Sequence, residues 1–271
     1  MTIDLAGATP TTIVPPAPPV LRFGPHEAWI LTTRIGWLLA IMIPAVVLHL
    51  LWRAVRAPSP WPRWFLARAG RAAGARTTYG GTPATHDVVF VANHVSWLDI
   101  LVIGGVTNVR FIAQDRIRFW PVIGWLAWLD ATIFVSRTDR IGVSGQIERV
   151  RKAVAGSRPV ALFPEGTTTD GRHLLPFKPS LLAALEPPPR AMRIQPVVLG
   201  FDDAASNLAW IGVEGGAANA LRVLSRGGTF VIAVDFLPPF DCAGMSRKTV
   251  AAEARLRIAG ALSAKFGRHV A

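Results

Sequence analysis

One pair of residues stands at a spacing that can move a proton: His94 and Asp99, in the run Asn93-His94-Val95-Ser96-Trp97-Leu98-Asp99. An imidazole titrates near neutrality and can take a proton from a hydroxyl at physiological pH. A carboxylate on its far ring nitrogen would fix the tautomer and stabilise the imidazolium that forms. Five residues apart on one continuous helix, the two side chains would diverge by about 140°. They can meet only if His94 lies in a loop and Asp99 inside the helix that follows. A structural reading fits the same residues. Ser96-x-x-Asp99 resembles a capping box, in which Asp99 ties off a helix start, and Asn93 and His94 are ordinary turn residues.

Two other chemistries are weaker. Ser96, His94 and Asp99 are a hydrolase's residue types, but Ser96 lacks a Gly-x-Ser-x-Gly elbow and stands two positions from the histidine. No His-x-x-x-His pair occurs, and the one cysteine, Cys242, excludes an intramolecular disulfide and a cysteine-rich zinc site. No metal and no cofactor is expected.

The pair has to be held by the elements around it. From about residue 80 the chain reads as α/β. Asp87–Ala92, Val109–Gln114, Thr132–Ser136, Pro159–Phe163, Ile194–Leu199 and Thr229–Phe236 are short β-branched or aromatic runs. Helical patterns over Val143–Ala155, Lys178–Leu185 and Arg247–Phe266 lie among them. The fold expected is a mixed, mostly parallel sheet flanked by helices, with functional residues on the loops after strands. The first strand runs straight into His94.

Composition places this domain beside lipid. Hydrophobic residues make up 51% and charged residues 17%, with a net charge of +12 carried largely by arginines beside Trp and Leu. That mixture favours a membrane surface over nucleic acid. Ile35 to Trp52 is one apolar stretch, interrupted by Pro44 and His49, that is just long enough to cross a thin hydrocarbon core. Arg53, Arg56, Arg63, Arg68, Arg71 and Arg76 follow it with no acid before Asp87, which puts the rest of the chain on the cytoplasmic side of the membrane. Trp61, Trp64 and Phe65 among these arginines suit a helix in the head-group layer. The expected division is a flexible tail over 1–34, an anchor and interfacial helix over 35–76, and a catalytic domain over 77–271. Trp120, Trp125 and Trp128 read equally as core or as an apolar doorway for acyl chains.

Four blocks in order resemble the glycerolipid acyltransferases typified by 1-acylglycerol-3-phosphate acyltransferase. Asn93-His94 followed by Asp99 matches the NHxxxxD motif, and Thr132-Ile-Phe-Val-Ser-Arg137 is similar to the second block. Phe163-Pro164-Glu165-Gly166-Thr167 matches FPEGT, and Ile194-Gln195-Pro196-Val197 is similar to the fourth. The resemblance implies that His94, oriented by Asp99, deprotonates a lysolipid hydroxyl that attacks the thioester of acyl-CoA or acyl-carrier protein. It implies that Glu165, Gly166 and Thr167 bind the acceptor. The family commonly has Arg after that Thr, at a phosphate-binding position, whereas this chain has Thr168; Arg172, Lys178 or Arg137 could supply the charge instead. The expected acceptor is 1-acylglycerol-3-phosphate, giving phosphatidate. The alternative is lyso-ornithine lipid, because Gly-Thr-Thr-Thr-Asp-Gly looks more like that branch. A non-catalytic alternative is a basic peripheral membrane-binding protein.

Overall fold

The computed structural model describes residues 22–136, 142–201 and 205–266. Eight strands form one sheet: β1 (Ala75–Gly80), β2 (Val88–Ala92), β3 (Arg110–Gln114), β4 (Ile133–Val135), β5 (Val160–Leu162), β6 (Arg193–Phe201), β7 (Phe230–Phe236) and β8 (Phe240–Asp241). The order is β1-β7-β6-β2-β5-β3-β4, with the two-residue β8 also on β6. Pairing is parallel except where β6 meets β7 and β8. The sheet is therefore mixed and mostly parallel, as the sequence pattern predicts.

At its centre β2 is buried at all five positions, so it reads as an unbroken apolar run rather than an alternating one. Its side chains still alternate between faces. Phe90 and Ala92 join a core with α3 (Leu98–Val106) and α7 (Gly216–Ser225). Val89 and Val91 join another with α5 (Val143–Val154), the 3-10 turns Pro179–Leu185 and α8 (Arg247–Phe266). Because β2 is parallel to both β5 and β6, with Val91 opposite Leu162 and Pro196, the loops leaving β2 and β5 emerge at one edge of the sheet. Asn93 extends this pairing past the end of β2. Its amide donates to the Leu199 carbonyl at 2.9 Å and accepts from the Leu199 N–H at 2.8 Å.

The N-terminal part departs from expectation. Helix α1 spans Pro25–Ala54 and so begins inside the segment expected to be a flexible tail. Its start is set by Pro25 and by Glu27, which accepts from the Gly24 N–H at 2.9 Å, signals that carry no hydrophobicity. The helix is docked at two points. Arg34 donates to the carbonyls of Val223, Leu224 and Gly228. His49, awkward in lipid, is buried, with Nδ1 bonded to Ser59 Oγ at 2.8 Å and Nε2 to the Leu129 carbonyl at 3.3 Å. Ile41, Ala45 and His49 form one buried stripe, while Trp29, Ile35, Trp37, Leu39, Ile43 and Val47 are exposed. Among the described residues α1 is the one helix long and apolar enough to cross a membrane.

Helix α2 (Trp61–Ala72) packs on α3, and Gly105 permits the approach: a Cβ there would lie 2.7 Å from the Ala67 Cα. Strand β1 begins at Ala75, so the expected boundary at residue 77 falls inside the sheet. Lys178–Leu185, read as helical, is a 3-10 run from Pro179. The rest of the secondary structure is α4 (Ile123–Leu129), α6 (Ala205–Leu208) and a 3-10 turn at Asp115–Phe119.

Candidate active site

His94 lies in the loop after β2 and Asp99 in the first turn of α3, the one arrangement that lets them meet. His94 Nδ1 is 2.7 Å from Asp99 Oδ2, and the carboxylate is fully buried. That same oxygen accepts the backbone N–H groups of Val95 at 2.7 Å and Ser96 at 3.0 Å. Asp99 thus ties off the start of α3 and orients the imidazole at once, so the two sequence readings describe one carboxylate. The free N–H groups at a helix start favour a negative charge there. With Nδ1 engaged, Nε2 is the nitrogen left to meet a hydroxyl. The His94 side chain keeps 19% exposure, enough for a substrate to reach it.

The loop after β5 holds His94 from the other side. Phe163 stacks on its ring, centroids 4.1 Å apart and planes 16° apart. Glu165 Oε1 accepts the His94 backbone N–H at 2.7 Å, and Oε2 accepts the Leu175 N–H at 2.9 Å. Thr169 N–H donates to the His94 carbonyl at 2.8 Å. Every polar group of the His94 backbone is therefore clamped by residues 165–169. Glu165 itself is fully buried, and burial pushes its carboxyl up to about 7 despite the two N–H donors that favour its charge.

Glu165, which the resemblance assigns to the acceptor, faces the main chain here. Both its oxygens are committed to backbone, and its side chain is out of contact with solvent. Gly166 turns the chain at φ 72, and Lys178 lies against it, its Nζ 3.0 Å from where a Cβ would be. Thr167, Arg172 and Lys178 are exposed around this turn. Pro164 accepts the Lys178 N–H at 2.8 Å through its carbonyl. Pro196 sits buried within β6, away from the exposed rim. Arg137 lies outside the described residues. Ser96 Oγ is buried and without a hydrogen-bond partner among the described residues, so it is not aligned with His94 as a nucleophile.

Sequence reading missed the segment that closes the third side. Trp210 N–H donates to the Val95 carbonyl at 3.0 Å, and the Trp210 carbonyl accepts from the Thr168 hydroxyl. Glu214, held by Asn219 and by the Nε and Nη2 of Arg222, fixes this segment, and Trp97 Nε1 donates to Asn219 Oδ1 at 3.0 Å. No local pattern announces the contacts to Val95, Thr168 and Trp97, because each joins residues far apart in the chain.

The site is an imidazole held by a buried carboxylate, and among the described residues no serine or cysteine is aligned on it. The chain belongs to the acyltransferase family, whose model matches residues 76–200. It is 31% identical to a lyso-ornithine lipid O-acyltransferase of Rhodobacter capsulatus, over 82% of this chain and 86% of that one. It is 38% identical to a 1-acyl-sn-glycerol-3-phosphate acyltransferase of Neisseria gonorrhoeae, over 37% of this chain and 41% of that one. The fold is that of the 1-acyl-sn-glycerophosphate acyltransferase PlsC of Thermotoga maritima, with a TM-score of 0.61, 20% identity, and coverage of 88% of this chain and 98% of the other. The protein is an acyltransferase, and the non-catalytic alternative falls.

Proposed function

We propose that the protein acylates the hydroxyl of lyso-ornithine lipid, with an acyl thioester as donor. The observation that carries the chemistry is the His94 Nδ1–Asp99 Oδ2 contact of 2.7 Å. His94 Nε2 takes the proton of the acceptor hydroxyl as its oxygen attacks the thioester carbonyl. The tetrahedral oxyanion collapses, the C–S bond breaks, and the thiolate recovers the proton from the imidazolium. Asp99, bonded to Nδ1, holds the ring in place and stabilises that imidazolium. Thiolate is a good leaving group, so no acyl-enzyme is required.

The acceptor reading rests on two supports. Thr168 stands where the resemblance places an arginine for phosphate, and its hydroxyl is spent on the Trp210 carbonyl. The similarity to a lyso-ornithine lipid O-acyltransferase extends over most of the chain, whereas that to a 1-acyl-sn-glycerol-3-phosphate acyltransferase covers 37% of it. Both favour a zwitterionic amino-acid head group over a phosphate monoester, reversing the order that the sequence blocks alone imply. In this reading the Lys178 ammonium, which lies against Gly166, is the cation that meets the head-group carboxylate. The enzyme works at the cytoplasmic face of the membrane, with the exposed apolar side of α1 in lipid and the arginines of residues 53–76 in the head-group layer. Acyl-CoA and acyl-carrier protein present the same thioester and both qualify as donor.

The test supplies purified enzyme with labelled oleoyl-CoA or oleoyl-acyl-carrier protein and with lyso-ornithine lipid or lysophosphatidate. Acylation of lyso-ornithine lipid by wild type and not by His94→Ala is the expected result. Turnover of lysophosphatidate alone would overturn the choice of acceptor, and full turnover by His94→Ala would overturn the mechanism.

A further inference from the structure

The segment Phe119–Trp128, formed by the end of the Asp115–Phe119 turn and most of α4, has a surface that nothing described so far explains. Phe119 is 76% exposed, Trp128 61% and Trp125 47%, and Val122 and Ile123 between them are about half exposed. A contiguous patch of this kind on a soluble surface marks a place where something apolar binds. These indoles are not core. The segment's inner side is fixed instead by Gly124, packed on the Arg118 and Ile117 carbonyls, and by the buried Leu129.

Two contacts locate the patch in the molecule. At its far end the Leu129 carbonyl bonds His49 of α1, which joins the patch to the apolar helix assigned to lipid. At its near end Trp120 packs against Trp210, ring centroids 5.9 Å apart, and Trp210 is bonded to the catalytic loop through Val95. Arg116 and Arg118 stand exposed just before the patch, and Arg118 leans over the Phe119 ring at 5.7 Å. Apolar and aromatic side chains with arginines at the edge are the chemistry of a surface that sits in acyl chains under anionic head groups.

We propose that Phe119–Trp128 is a second lipid-inserting element, which enters the same leaflet as α1 and sets the depth of the catalytic loop. This rests on the reading that α1 lies in lipid. Trp125 and Trp128 are the anchors. With α1 on one side and Trp120–Trp210 on the other, the patch forms a continuous apolar margin from the bilayer to the loop carrying His94. An acyl chain can then approach the base without crossing water.

The single cysteine makes the test clean. Cys242 is fully buried, its thiol pKa raised by burial and by Asp241, so a new surface cysteine is the reactive one. Trp125→Cys, Trp128→Cys, Trp37→Cys in α1 and Leu256→Cys in α8 are labelled with an environment-sensitive fluorophore. Each is mixed with phosphatidylcholine–phosphatidylglycerol vesicles, with and without lipids nitroxide-labelled on their chains. Probes at 125 and 128 are expected to shift blue and be quenched like the probe at 37, while 256 stays in water. Quenching at 37 with none at 125 and 128 overturns the second element and leaves the assignment of α1 intact. No quenching at any position overturns both. The pair Trp125→Ser, Trp128→Ser is expected to lose about tenfold in turnover of vesicle-borne acceptor, from the apolar area no longer buried. Its turnover of a short-chain acceptor below its micelle concentration should be unchanged. Conversion of a dimer to a monomer by that pair, read by light scattering without lipid, would assign the patch to a second copy and overturn the proposal.

Discussion

At the scale of residues, the site is a histidine whose ring and backbone are fixed by different parts of the chain. Asp99 fixes the ring, while Glu165 and Thr169 fix the backbone on either side of it. Removing the base by His94→Ala should lower turnover at least about a thousandfold with little change in melting temperature, since the ring is partly exposed. Asp99→Asn should lower turnover comparably, but it should also destabilise the fold by about 1–3 kcal/mol. The reason is that Asp99, although at the entrance of α3, is wholly buried and holds two backbone N–H groups. Glu165→Ala should reduce kcat and leave the acceptor KM nearly unchanged, since both Glu165 oxygens accept backbone N–H groups of the surrounding loops; a rise in KM alone would point to acceptor binding instead. Its raised carboxyl has a consequence for stability. The native state holds this proton up to about pH 7, whereas the unfolded chain releases it near 4.5. Between those values the native state binds more protons, so the contribution of this group falls as pH rises, by about 3 kcal/mol in all. Melting curves from pH 5 to 8 should show this decline in wild type and its loss in Glu165→Gln. His94 and Asp99 were legible because both their chemistry and their contact are local. The contact of Glu165 with the His94 backbone was not, because only the parallel pairing of β2 and β5 brings those two loops together.

Elements carry the site by two routes, one through the sheet and one through α1–α2–α3. The sheet route was readable: six of the eight strands stand out as β-branched or aromatic runs, most plainly β2 and β5, which are parallel, buried at every position and apolar throughout. Strand β1 was not, since Ala75-Arg-Thr-Thr-Tyr-Gly80 lies at the sheet edge with half its positions facing water. Helix α7 stayed hidden because its packing partner α1 is far off in sequence. The second route runs from α1 through α2 to α3, which carries Asp99. Its tightest point is Gly105 on Ala67, where an added Cβ would meet main chain rather than a side-chain tip that could swing away. Gly105→Ala should therefore push α2 outward and destabilise by about 1–3 kcal/mol, despite the better helix propensity of alanine. Activity should fall further than stability alone explains if α3 shifts with it. Thermal melts paired with turnover per folded molecule separate the two effects.

The whole molecule combines a large exposed apolar surface on α1 with a net charge of +12, and these two terms respond differently to solution conditions. Attraction between the arginines of residues 53–76 and an anionic leaflet is Coulombic. It reaches only about 10 Å at 0.1 M salt and shrinks to about 3 Å at 1 M. Burial of the apolar face of α1 is insensitive to such screening, and strongly salting ions reinforce it. Binding to phosphatidylcholine vesicles should thus be nearly flat in sodium chloride, while the added affinity for phosphatidylglycerol vesicles should decay by about tenfold towards 1 M. Sedimentation with vesicles of each composition measures both curves. Coincident curves that both fall with salt would mean that charge alone holds the protein at the surface and that α1 stays out of the chains. Coincident flat curves would mean that the arginines face away from the bilayer, and the cytoplasmic orientation read from them would lose its basis.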